Sequence, residues 1–316
     1  MGSVADHAGA SLRTFRMSTA TSVPVTRELE GDDALETLRA TGRRTLAVDA
    51  FDRFRAADGF SHARALAFQF ALTLVPALIA VIGLATALDQ DTFTRIVREV
   101  LLEMAPASAG DLITEALDQG TSGGTTAVLL GGLATLVAGT GAFGQLERGA
   151  NRIYGVERDR PPVRKYAVAF VLMVTAGGAT LLAAVLLVAG EALADAAGWG
   201  RAFELLRWPL TIGLVVAALA LLFEVSPRRR QPEPSWLMLG SGLAAVLWLL
   251  FTGTLALWIG ATENFGATYG PLAGTIAILL WTFLTAVAVL LGLAFAAQLE
   301  AVRAGVSTTR VEREEN

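Results

Sequence analysis

The chain has 316 residues, of which 53% are hydrophobic and only 17% charged, with a formal net charge of −4. Soluble domains run at about 45–50% apolar and about 25% charged, and here the apolar excess is gathered into six long stretches without a formal charge. That pattern excludes an ordinary globular enzyme and places the protein in a membrane.

Residues 1–44 mix Asp, Glu, Ser, Thr and Gly with no apolar core near Met1. No signal peptide is read there, and a mostly disordered cytoplasmic tail is expected. Between 45 and 60, Ala47, Val48, Phe51 and Phe54 recur at helical spacing, with Asp49, Asp52, Arg53 and Arg55 on the other face. This predicts an interfacial helix leading into the first span.

A helix needs about 20 mostly apolar residues to cross a hydrocarbon core about 30 Å thick. The uncharged runs predict spans at 65–88, 125–146, 166–190, 208–225, 236–260 and 270–297. The fourth is short, but Arg207 and Glu224 can snorkel outward from its ends. Snorkelling also accounts for Arg64, Glu147, Arg148 and Glu300 at other span ends. Between the first two spans, Phe93, Ile96, Val97, Val100, Leu101 and Met104 follow an amphipathic helical pattern that Pro106 ends. Ser108 can cap a second helix carrying Leu112, Ile113, Ala116 and Leu117. An external amphipathic hairpin is expected over 89–124. The fold class is therefore all-α: a polytopic membrane domain over 45–303, with 304–316 as a second cytoplasmic tail.

Arg and Lys set the orientation, because basic loops stay on the cytoplasmic side. The N-terminal segment, the loop 147–165, the loop 224–233 and the C-terminal tail hold 21 basic residues, against 4 in the alternate loops. Six spans with both termini cytoplasmic fit that bias. The basic residues are 24 Arg and one Lys, and with abundant Ala and Gly this suggests a bacterial plasma membrane.

Cysteine is absent, which excludes disulfides, thiolate metal ligands and a cysteine nucleophile. His7 and His62 are too few for a histidine-rich metal site, and the acidic balance lacks a nucleic-acid footprint. Gly139, Gly141 and Gly144 match the spacing of a dinucleotide loop, but they lie inside a span with no strand before them. Close helix packing explains them instead. With no buried Ser–His arrangement available, neither an enzyme nor a cofactor is expected. Span breakers are more informative. Pro76 lies within the first span, Gly177 and Gly178 within the third, and Gly270 and Pro271 open the last. These are candidate hinge or cavity positions. Arg148, Arg152, Arg158, Arg160, Arg164 and Lys165 form a basic loop suited to anionic headgroups or a partner.

Ala65-Leu-Ala-Phe-Gln-Phe-Ala-Leu-Thr-Leu-Val-Pro76 resembles the first span of the YihY/BrkB family of bacterial inner-membrane proteins. Asn151-Arg-Ile-Tyr-Gly-Val156, Leu206-Arg-Trp-Pro209, Ser226-Pro227 with its arginines, and Asn264-Phe-Gly-Ala-Thr-Tyr-Gly270 fit the same family in order. The resemblance covers about residues 45–303. It departs at Phe68-Gln69, at Phe223-Glu224, where the family has Tyr-Arg, and at Gly292-Leu-Ala-Phe-Ala296, which lacks the polar pair usual near the last span's end. The resemblance implies an inner-membrane protein with membrane lipids as neighbours. It also implies an envelope lipid or amphiphile as transport substrate. A non-transporting scaffold is the alternative, and ribonuclease activity, a label some members carry, has no chemical basis in these residues. Substrate, energy source and oligomeric state are not readable.

Overall fold

The computed structural model describes residues 20–26, 31–87, 115, 124–186, 200–261 and 272–306. The elements there are helical: α1 (Gly31–Thr41), α2 (Arg43–Ala56), α3 (Gly59–Ala87), α4 (Thr125–Ile153), α5 (Pro162–Leu186), α6 (Gly200–Val225), α7 (Pro234–Ala261) and α8 (Ala273–Arg303). Each of α3 to α8 holds a stretch long and apolar enough to cross a membrane. The all-α class and six spans expected from the sequence therefore stand. The external hairpin, apart from residues 115 and 124, and the pair Gly270 and Pro271 lie outside the described residues.

Two helices overrun the expected spans. α3 begins at Gly59 rather than 65, and α4 continues to Ile153 rather than 146. Hydropathy marks where apolar side chains stop, whereas the backbone ladder continues as long as the next residues can pack or pair. Residues 147–153 do both, as Glu147, Asn151 and Ile153 are all buried.

α8 is the axis of the bundle. Half of its apolar window is buried, against 17–28% for the other spans, and it packs against α7, α3 and α2. Small residues make this possible. A Cβ on Gly240 would lie 2.7 Å from the Gly292 carbonyl oxygen, and one on Gly292 would lie 2.6 Å from the Ala244 Cβ. Gly240 with Ala244 and Gly292 with Ala296 are small residues four apart, the spacing that lets two helices approach closely within lipid. The outward faces of α4 and α7 carry exposed Leu129, Leu130, Leu133, Leu249, Leu250 and Leu257. Such side chains suit hydrocarbon as solvent.

Residues 20–26, read as part of the tail, and α2, read as an interfacial helix, pack onto the bundle. Ala20 and Val23 are buried, as are Leu46, Ala50 and Phe54 of α2, and α2 packs on α8. Phe54 meets Phe60 edge-on at 4.9 Å, turning the chain from α2 into α3.

Candidate functional site

Two regions hold the chemistry. At the end of the bundle that carries the basic loops, the C-terminal ends of α4, α6 and α8 meet the loops 154–161 and 226–233. Glu147 and Glu300, which snorkelling was expected to explain, are instead buried in ion pairs. Glu147 binds Arg160 at 3.1 Å, and Glu300 binds Arg229 at 2.6 Å with both side chains nine-tenths or more buried. A buried carboxylate is tolerated only where a cation and further donors replace its water. Glu300 also accepts from the Thr26 hydroxyl at 2.5 Å.

Arg160 does more than pair. Its guanidinium donates to the carbonyls of Val225, Ser226 and Pro227 at 2.7–2.9 Å, supplying donors and positive charge at the C-terminal end of α6. Beside it, Asp159 accepts from Lys165 Nζ and Asn151 Nδ2, each at 2.9 Å. Burial alone would raise the Asp159 carboxyl, but the Lys165 and Asn151 bonds outweigh it and hold the group below its ordinary value of 3.8. Asn151 Oδ1 in turn accepts from the Arg228 backbone N–H at 2.7 Å, joining the two loops.

Arg53, from α2, reaches the middle of this layer with 1% exposure. Its Nε donates to Gln298 Oε1 at 2.8 Å, and its Nη1 donates to the carbonyls of Thr21 and Ile153. It takes part in none of the ion pairs among the described residues. Burial pushes its guanidinium down to about 10, with Tyr154 and Glu300 pulling the other way. It is charged at neutral pH. The Arg229 guanidinium lies 4.6 Å over the Tyr154 ring, and burial raises the Tyr154 hydroxyl, which stays neutral. Arg229 Nε and Gln298 Nε2 are buried without a hydrogen-bond partner among the described residues. Slightly beyond 292–296 in α8, Gln298 and Glu300 are both buried.

The second region is a groove of about 450 Å³ lined by Leu136, Val137, Thr140, Gly141 and Tyr166, where α5 leaves α4. A Cβ on Gly141 would lie 3.2 Å from Gln69 Oε1, so a carboxamide from α3 backs this part of α4. Gly139 admits the Met173 sulfur, 2.8 Å from where its Cβ would be. The glycine run thus packs α4 against α3 and α5. α5 widens into one π turn, Met173–Gly177, which ends on the predicted breaker Gly177 and is followed by the exposed Gly178. Such insertions bend a helix. Pro76 lies in α3 against α4, its carbonyl oxygen 3.0 Å from where a Gly131 Cβ would sit.

The predicted basic cluster divides. Arg148, Arg158 and Arg164 are exposed and Arg152 is half-buried, whereas Arg160 and Lys165 turn inward onto Glu147 and Asp159. Sequence reading missed Arg53, Tyr154, Arg229, Gln298 and residues 20–26. The available signal was a charge beside fully apolar neighbours, as in Leu299-Glu300-Ala301.

The profile of the family described as Virulence factor BrkB matches residues 50–315. The chain is 24% identical over 253 residues to the "Putative ribonuclease-like protein YfkH" of Bacillus subtilis (strain 168), covering 77% of this chain and 91% of that protein. It is 29% identical over 261 residues to the "UPF0761 membrane protein azo3165" of Azoarcus sp. (strain BH72), covering 79% of this chain and 62% of the relative. A UPF0761 membrane protein of Cronobacter sakazakii (strain ATCC BAA-894) is 28% identical over 235 residues, 72% of this chain and 78% of its own length. The chain spans about six tenths of the length of the Azoarcus and Stenotrophomonas relatives. No solved structure matches. Six membrane-spanning helices joined by these loops, under a profile that runs through α3 to α8, show that the chain belongs to the BrkB family of membrane proteins.

Proposed function

We propose that this protein admits an amphiphile, an envelope lipid in the first instance, laterally between α4 and α5. In this reading the basic end and both termini lie in the cytoplasm. The groove carries the proposal. It is a shallow, open depression of about 450 Å³ on the outer face of the bundle. It pairs the apolar side chains of Leu136 and Val137 with the hydroxyls of Thr140 and Tyr166. That combination suits a chain with a polar end. The π turn in α5 and Pro76 in α3, both in helices that pack on α4, support this reading, because each interrupts the regular hydrogen-bond ladder.

The test is reconstitution with fluorescent phospholipids and measurement of their exchange between leaflets. Protein-containing vesicles are expected to exchange lipid faster than empty ones, and Thr140→Trp, a bulky side chain at a groove-lining position, to abolish the gain. Exchange at the empty-vesicle rate for every lipid tested would refute the reading.

Exposed Arg148, Arg158 and Arg164 favour a second reading, a scaffold that holds anionic headgroups at about 1 kcal/mol per residue. Neutralising all three should then weaken binding to anionic vesicles and leave any lipid exchange unchanged.

A further inference from the structure

Residues 20–26 cross the basic end of the bundle as an extended strap. The Ala20 and Val23 N–H groups donate to the carbonyls of Arg152 and Tyr154 at 3.1 and 3.2 Å. Thr21 offers its carbonyl to Arg53, Pro24 offers its own to Arg229, and Thr26 donates its hydroxyl to Glu300. Gly155 makes room for the crossing. It has φ 71°, and a Cβ there would lie 2.5 Å from Ser22 Cα. The strap lies outside the residues that the family profile matches.

It covers two buried guanidiniums: Arg229 holds Glu300 through both terminal nitrogens, and the bonds of Arg53 to Gln298, Thr21 and Ile153 go to neutral oxygens. A buried guanidinium without a carboxylate is costly. Two donors there, Arg229 Nε and Gln298 Nε2, are buried without a hydrogen-bond partner among the described residues. Both side chains come from elements other than the strap and are nine-tenths or more buried. Two guanidiniums and spare donors form the chemistry that binds phosphate oxygens. The strap's carbonyls at Thr21 and Pro24 occupy guanidinium N–H groups that such oxygens would take.

We infer that Arg53 and Arg229 form a site for a phosphate group, and that residues 20–26 are its displaceable cover, closing it with backbone carbonyls in the ligand's place. The site stands whether or not the α4–α5 groove takes up an amphiphile.

The chain contains no cysteine, so the cover can be followed by one introduced thiol. Val23→Cys replaces a buried strap side chain, and its labelling by a soluble maleimide reports lifting. The full-length protein would be placed in phosphatidylcholine nanodiscs, in the same nanodiscs with added inorganic phosphate, and in nanodiscs containing phosphatidylglycerol. Labelling is expected to be slow in the first and about tenfold faster in at least one of the others. The responding arm tells a free phosphate from a lipid headgroup. Adding Arg53→Lys, which keeps the charge but loses the fork of donors, should remove most of that response. Thr26→Ala, which only releases the strap from Glu300, should raise labelling in phosphatidylcholine about tenfold without any anion. Equal labelling in all three arms, or an undiminished response with Arg53→Lys, would overturn the site. Unchanged labelling with Thr26→Ala would overturn the strap as a cover held by that bond.

Discussion

The basic end of the bundle and the flank between α4 and α5 are built from the same helix, α4, by opposite means. At residues 147–160 the structure is fixed by charge: Glu147 with Arg160, Asp159 with Lys165, and Glu300 with Arg229 close by. Every strong bond there ties two or three chain segments together. Two to four turns back along α4, at residues 136–141, neighbours meet through glycines, a methionine sulfur and hydroxyls, and a groove is left open. Apolar contact inside lipid brings little hydrophobic gain, because lipid tails are as apolar as the side chains. A loosely packed flank therefore costs less in the membrane than an unpaired charge costs at the end. Rigidity is concentrated where water and backbone carbonyls must be replaced, and freedom remains where hydrocarbon can fill the space.

Substitutions can challenge that contrast. The largest effect is expected from Glu300→Ala, which strands the buried Arg229: about 3–5 kcal/mol lost, read as thermal unfolding in detergent. A loss under about 1 kcal/mol would mean that the pair behaves as an exposed one. Gly292→Leu at the α7–α8 contact should cost about 1–3 kcal/mol by overpacking, again by thermal unfolding. If it is neutral, these helices are not as close as the 2.6 Å geometry requires.

Acid adds a directional test. Asp159 is held below its ordinary 3.8 in the folded chain, so the unfolded chain takes up the proton first. Its stabilisation is present above that ordinary value and is lost as pH falls through the depressed one. Asp159→Asn should lower stability near neutrality by removing that contribution, and flatten the acid loss. An acid limb identical in the variant would show that the carboxylate contributes nothing. The smallest effect is expected at Arg303, whose contacts with Asp33 and Glu36 are solvent-exposed. Arg303→Gln should cost under about 1 kcal/mol, and a loss as large as that of Glu300→Ala would erase the distinction between buried and surface pairs.

The contrast also explains what a single sequence reveals. Six spans are readable because lipid imposes one requirement, an apolar run of fixed length, that each segment meets by itself. Pro76, Gly177 and Gly178 are conspicuous for the same local reason, yet the helices run on through them, with one π turn ending at Gly177. The polar layer is not. Glu300 depends on Arg229, 71 positions earlier, and on Thr26, 274 positions earlier, and nothing near Glu300 announces either partner. Equally, Arg53 reads as the polar face of an interfacial helix until Gln298 and the Thr21 carbonyl are brought to it. Residues 20–26 look like tail because their few apolar side chains are small and show no helical spacing, and the burial of Ala20 and Val23 comes from the surface they cross.

The groove between α4 and α5 is the feature on which the proposed function turns, and lipid itself can report it. A phospholipid with a photoreactive acyl chain, activated in proteoliposomes and mapped by mass spectrometry, should label residues 136–141 and Tyr166 well above the exposed leucines 249, 250 and 257 of α7. Labelling spread evenly over both faces would show that lipid does not reside in the groove, and would contradict lateral entry there.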